Sequence, residues 1–202
     1  FEVLDEPRVV FLLAAYFLFF LGAVWRVVWH GKLAHRANDR QVQSRSGRMA
    51  SALSIIGLIA FHWLSIYGYA AGHRLADEET ALAPFLLILA ISMILIAMLI
   101  SQVAIRTLGT FFDRLTIKTD HRLVTEGIYG WIRHPIYTGY ILLFLGFCLT
   151  LESTVGLILS VVTCALWFGN RIPTEERMLE EQFGEDYRSY CNRSRRLFPF
   201  IY

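Results

Sequence analysis

Five apolar runs decide what this chain can fold into: Pro7 to Trp29, Met49 to Ala71, Ala81 to Ser101, Ile136 to Leu151 and Thr154 to Gly169. At about 1.5 Å of rise per residue the first three reach roughly 30 Å, the thickness of a hydrocarbon layer. The last two have 16 residues each. They reach about 24 Å, so flanking residues Trp131 to Pro135 and Asn170 to Ile172 must extend them if they are to cross. Only Glu152 and Ser153 separate these two runs, which predicts a tight antiparallel helical hairpin. A chain of 202 residues has no soluble core large enough to hide all five runs. With 55% hydrophobic and 18% charged residues and a mean hydropathy of +0.47, disorder and an ordinary soluble enzyme are both excluded. The expected class is all-α: a polytopic membrane protein with five transmembrane helices, the last two a hairpin, followed by a cytosolic amphipathic helix.

The net charge of +2 argues against nucleic acid as a partner, but the placement of charge is informative. Six Lys and Arg lie between Arg26 and Arg48, five between Gln102 and Arg133, and six from Arg171 onward, against only Arg8 and Arg74 on the opposite side. The positive-inside rule then predicts an extracytosolic N-terminus and a cytosolic C-terminus. The acidic residues Glu2, Asp5 and Glu6 precede the first run where a signal peptide would be basic. Trp25, Trp29, Trp63, Tyr67, Tyr69 and Trp167 fall near span ends, as interfacial anchors do. Cys148, Cys164 and Cys191 read as free thiols. Small residues at helical spacing, Ala50 with Ser54 and Gly156 with Ser160 and Cys164, suit close helix packing in lipid. His62, inside span two, reads as a neutral histidine hydrogen-bonded to a neighbouring helix. The organisation expected is a three-span region, 1–101, and a C-terminal cofactor-binding region, 102–202.

Two polar clusters stand where membrane helices meet the cytosol. In the first, Gly127 and Gly130 allow backbone to approach a ligand, Pro135 fits the first turn of a helix, and Tyr129, His134 and Tyr137 supply hydrogen-bonding groups. Residue chemistry alone leaves two readings open here, an anion or cofactor pocket and an interfacial turn anchored by aromatics. In the second cluster, Asn170 to Glu176, Pro173 is expected to end or kink the membrane helix. Thr174, Glu175 and Glu176 are then expected to open an amphipathic helix over 174–191, with the carboxylates at its positive end. No His, Cys or carboxylate cluster has metal-ligand spacing.

The words H-R-L-V-T-E-G-I-Y-G-W-I-R-H-P-I-Y-T-G-Y (121–140), R-I-P-T-E-E (171–176), F-G-E-D-Y-R-S-Y (183–190) and L-F-P-F-I (197–201) together resemble the isoprenylcysteine carboxyl methyltransferase family. Members are integral membrane enzymes that use S-adenosyl-L-methionine. The resemblance covers roughly the last 90 residues; the first 100 match only in being hydrophobic spans. It implies that His121, Leu123 and Val124 line the adenine end of the cofactor, partly through backbone groups. Tyr129, His134, Pro135 and Tyr137 would wall the ribose, sulfonium and methionine moiety, Glu175 would bind a polar group of the cofactor, and Arg171 would hold the substrate carboxylate. Arg114 is a departure, standing where family members tend to carry a neutral amide.

The activity implied is O-methylation of the carboxylate of an isoprenylated cysteine or a similar amphiphile, on the cytosolic side of the endoplasmic reticulum or of a bacterial inner membrane. A carboxylate is already ionised at neutral pH, so no general base is needed. Related membrane methyltransferases act on phospholipid amines or small thiols, whose proton would have to leave, with His134 or Glu176 as the base. Nicotinamide-dependent membrane reductases and a non-enzymatic transporter are more distant alternatives. A lid role for the 174–191 helix is a further expectation.

Overall fold

A computed structural model describes residues 6–34, 40–41, 45–72, 75, 82–109, 116–117 and 123–199. Helix α1 spans Pro7–Ala34, α2 Arg45–Ala70, α3 Leu82–Leu108, α4 Pro135–Thr150, α5 Thr154–Phe183 and α6 Glu185–Arg193. A two-residue antiparallel pair joins β1 (Arg40–Gln41) to β2 (Thr116–Ile117), and a 3₁₀ turn covers Gly127–Gly130. The five apolar runs all became helices. Helices α3 and α5 are long and apolar enough to cross a membrane, and shorter apolar stretches cover Pro7–Leu21, Ile55–Ala70 and Pro135–Thr150. Large apolar side chains such as Leu13, Phe17, Ile56, Phe85, Leu99, Ile158 and Val161 are exposed around the outside. A belt of that kind is stable in hydrocarbon and not in water.

Close helix approach builds the core. Helix α4 lies along α3 with Gly146 against Ile94 and the Ala90 carbonyl, and Gly139 against Ser101 and the Ala97 carbonyl. Helix α2 lies along α5 with Gly57 against Thr163 and Gly156 against Ser65. Thus Gly156, Ser160 and Cys164 are buried at a helix seam, as expected for small residues in lipid. The side chains of Ala50 and Ser54 lie outside the described residues. Phe61, Phe144, Phe147 and Leu143 fill the centre. Helix α1 docks through Val9, Leu12, Ala15 and Phe19. Leu58 O accepts from His62 Nδ1 at 2.6 Å, which leaves Nε2 to accept the Tyr16 hydroxyl at 3.1 Å. His62 therefore joins α2 to α1.

The hairpin is as tight as its two-residue spacing demands. Glu152 takes a positive φ of 51°, and Ser153 caps α5 by accepting the Gly156 N–H at 3.0 Å. Glu152 is almost fully buried and pairs with Arg8 of α1 at 2.5 Å.

One boundary differs from expectation. Pro173 does not end the membrane helix; α5 continues through it to Phe183, and the amphipathic segment expected over 174–191 is divided by Gly184 (φ 54°) into the end of α5 and the short helix α6. A proline removes one N–H and crowds the carbonyl four residues back, here that of Gly169. Neighbouring carbonyls are served by side chains: Thr174 Oγ1 donates to Asn170 O at 2.9 Å, and Asn170 Nδ2 to Leu166 O at 2.7 Å. Glu175 and Glu176 consequently sit mid-helix and do not complement a helix N-terminus. Beyond Gly169 the helix leaves its apolar stretch and carries six charged residues before Phe183.

Candidate active site

Pro135, fully buried, starts α4 at its first position, and His134 is the N-cap without a side-chain capping bond, so the positive end of the helix faces the polar cluster. Tyr137 follows on the same turn, its ring parallel to His134 (5.5 Å between centroids, 9°) and stacked on Phe168 of α5 at 4.8 Å. Because α5 runs through Pro173, Arg171, Glu175 and Glu176 are carried by one helix beside them.

The charges form two linked groups. Arg171 Nε donates to the Tyr137 hydroxyl oxygen at 2.6 Å and to Glu175 Oε1 at 2.9 Å, while the Tyr137 hydroxyl donates to that same carboxylate oxygen. Among the described residues no hydrogen bond reaches Nη1 or Nη2 of Arg171. Glu175 Oε2 faces His134 Nδ1 at 3.6 Å. On the other side of the imidazole, His134 Nε2 lies 3.4 Å from Glu176 Oε1. Glu176 also accepts from Arg133 Nε at 3.0 Å and from Arg196 Nε at 3.0 Å. Burial works to raise the Glu176 carboxyl pKa, but hydrogen bonds from His134, Arg196 and Arg133 prevail and hold it at about 2. A carboxylate bound that tightly is a poor proton acceptor near neutral pH, which removes Glu176 from the candidate bases.

The segment after α6 forms the outer wall. It runs parallel to residues 131–134: Arg195 N donates to Trp131 O at 2.9 Å, Arg133 N to Arg195 O at 2.7 Å and His134 N to Arg196 O at 2.9 Å. Tyr190 donates its hydroxyl to Tyr129 O at 2.6 Å, and Thr138 Oγ1 donates to Leu197 O at 2.5 Å.

Of the residues singled out in the sequence, His134, Tyr137, Arg171 and Glu175 come together, with Pro135 buried beneath them. Tyr129 and Val124 are buried with Ala104 in a small apolar cluster, while Leu123 is half-buried. Burial, with the charges of Tyr190 and Glu175, pushes the Tyr129 hydroxyl pKa up, so its hydroxyl is within electrostatic reach of the Glu175 carboxylate. His121 and Arg114 lie outside the described residues. Arg133 and Arg196 were not foreseen: their partners are 43 and 20 residues distant in sequence, and no local pattern links them. The only hint was arginine immediately before the His-Pro pair.

Residues 88–181 match the model of the isoprenylcysteine carboxyl methyltransferase family. The match covers 94 of the 202 residues, a little under half of the chain. It contains α4, most of α5 and the His134, Tyr137, Arg171 and Glu175 cluster, while the methyltransferase-family match stops short of α6 and the tail that walls the site. Protein-S-isoprenylcysteine O-methyltransferase B of Arabidopsis thaliana is 34% identical over 114 residues, covering 55% of this chain and 58% of the relative. The Saccharomyces cerevisiae protein-S-isoprenylcysteine O-methyltransferase is 27% identical over 190 residues, covering 74% of this chain and 79% of the relative. The chain thus spans little more than half the length of the plant relatives it matches. The fold resembles the solved eukaryotic intramembrane Ras methyltransferase, an isoprenylcysteine carboxyl methyltransferase, with a TM-score of 0.62 at 24% identity, over 79% of this chain and 55% of that one.

Proposed function

We propose that this chain transfers a methyl group from S-adenosyl-L-methionine to the carboxylate of an isoprenylated cysteine or a closely similar amphiphile, as a five-span integral membrane enzyme with its C-terminal region, 102–202, cytosolic. The observation that carries this is Arg171: a half-buried guanidinium tethered through Nε alone, its outer fork left for a ligand, at the point where an apolar helix emerges into a polar site.

The residues fit the cofactor. Glu175 Oε2 suits a cationic ligand, and the uncapped start of α4 suits its carboxylate. When bound, S-adenosyl-L-methionine supplies an electrophilic methyl on a sulfonium. The protein's part is alignment. Arg171, already anchored at Nε, presents two parallel N–H donors to a carboxylate and fixes the direction of its nucleophilic lone pair. Tyr137 holds the arginine from below, and Phe168 and the apolar wall exclude water, which strengthens attraction between anion and cation. The clamping of Glu176 by two guanidinium groups leaves His134 as the remaining candidate base, which an amine or thiol would need and a carboxylate would not.

The test is transfer of label from methyl-labelled S-adenosyl-L-methionine by purified protein in detergent, with a farnesylcysteine analogue, a phospholipid amine and a small thiol offered in parallel. Base-labile label on the farnesylcysteine analogue alone, lost in Arg171→Ala, is expected. Label on the amine or thiol overturns the substrate, and no label without cofactor binding overturns the activity.

A further inference from the structure

Arg133 belongs to none of the roles above, yet its side chain makes four hydrogen bonds to other described residues. Its side chain is 10% exposed; Nε donates to Glu176 Oε1 at 3.0 Å, and Nη1 donates to Ser194 O at 2.6 Å and to Cys191 O and Ser194 Oγ at 3.3 Å. It thus binds the carbonyls that end α6 and one oxygen of Glu176, while Arg196 takes the other oxygen at 2.9 Å. The residue next to Arg133, His134, stands between two carboxylates, with Glu175 3.6 Å from Nδ1 and Glu176 3.4 Å from Nε2.

An imidazole in that position is drawn toward whichever carboxylate carries the less compensated charge. Glu176 Oε1 is shared: Arg133 Nε takes it at 3.0 Å and leaves His134 Nε2 a long contact of 3.4 Å, with the imidazole still parallel to Tyr137. Removing Arg133 leaves Oε1 to His134 alone, so the ring is drawn closer to Glu176 and off Tyr137. We propose that Arg133 is a positioning residue of the cofactor site, holding His134 on Tyr137 by occupying Glu176 and tying down the end of α6. This rests on the reading that the His134, Tyr137 and Glu175 cluster binds the cofactor. The tail takes part as well, since Arg196 and the Ser194 carbonyl complete the clamp from outside the family-matched segment.

A charge role and a merely structural role separate in a double-mutant cycle. The full chain in detergent is measured for S-adenosyl-L-methionine binding and for the KM of the lipid substrate, as wild type, Arg133→Met, Glu176→Gln and the double variant. Expected are a tenfold or greater loss of cofactor affinity in Arg133→Met, a lipid KM within about twofold of wild type, and partial recovery in the double variant because the freed carboxylate is gone. Equal losses for both ligands, no loss, or losses that simply add overturn the proposal. Should Arg133→Met not fold, Arg133→Lys keeps a charge on Glu176 but loses the fork to α6; an approximately threefold loss of cofactor affinity, confined to that ligand, is expected, and unchanged affinity refutes. A wild type that binds no cofactor overturns the functional reading instead. Arg133 is then judged from the His134 ring resonance in histidine-labelled protein, assigned with His134→Gln, which moves in Arg133→Met and returns toward wild type in the double variant; an unmoved resonance, or one that does not return, refutes the proposal.

Discussion

Adding a single methyl group at Gly146 should destabilise the protein, whereas the same change at Gly169 should not. A Cβ at Gly146 falls 2.7 Å from Ile94 Cγ1 and 3.0 Å from Ala90 O. Ile94 is fully buried and β-branched, and Ala90 O is helix backbone, so neither yields unless α3 and α4 separate. Overpacking of this kind costs about 1–3 kcal/mol, against about 1 kcal/mol gained when alanine replaces glycine inside a helix. The clash wins by about 1–2 kcal/mol if the upper half of that range applies, as it should where one obstacle is backbone. At Gly169 nothing lies within 4 Å, and only the helical gain of about 0.5–1 kcal/mol remains. Thermal unfolding of both variants in one detergent reads the difference. At roughly 2–4 °C per kcal/mol for a chain of this size, Gly146→Ala should fall by about 2–8 °C and Gly169→Ala should rise by about 1–4 °C. A Gly146→Ala protein as stable as wild type refutes the close α3–α4 contact.

Three further outcomes are expected. Glu176 has its folded pKa, about 2, below its ordinary value of 4.5, so its stabilisation is complete above about pH 5 and is lost as pH falls toward 2; Glu176→Gln should cost on the order of 2 kcal/mol at neutral pH and flatten the acid side of a melting-temperature profile. Arg8→Met strands the buried Glu152 carboxylate and should cost about 2 kcal/mol, most of it regained in Arg8→Met with Glu152→Gln, as melting temperatures will report. Tyr137→Phe removes the hydroxyl shared by Arg171 and Glu175 but leaves those two paired; one hydrogen bond to charged groups is worth about 1.5–3 kcal/mol, so kcat for methyl transfer should fall about 10- to 100-fold with little change in the lipid KM.

The helices were legible because each has a hydrophobic run and a terminus written into neighbouring residues: Pro135 at the start of α4, Ser153 capping α5, and the Glu152-Ser153 pair too short for anything but a hairpin. Of the two outcomes expected at Pro173, an end to the helix did not occur: the missing N–H costs one bond, and the Thr174 and Asn170 side chains bond carbonyls nearby. The central polar cluster was visible because His134 with Tyr137 and Arg171 with Glu175 are each three or four residues apart on a helix or its cap. Pairing those two groups with each other rested on family resemblance. The clamp on Glu176 was not legible: Arg133, Glu176 and Arg196 converge only after the chain has doubled back twice, and no spacing records that.

Continuity of α5 across Pro173 makes one rod of about 45 Å, of which a bilayer accommodates about 30 Å. The part that lipid grips and the part that carries Arg171 and Glu175 therefore tilt together. In a thinner membrane the helix must lean to keep its apolar stretch covered, and His134 leans with it, because Arg196, whose carbonyl accepts from His134 N, also grips Glu176 on α5. A change of membrane thickness should therefore turn the whole cluster against the bilayer while leaving the distances inside it as they are.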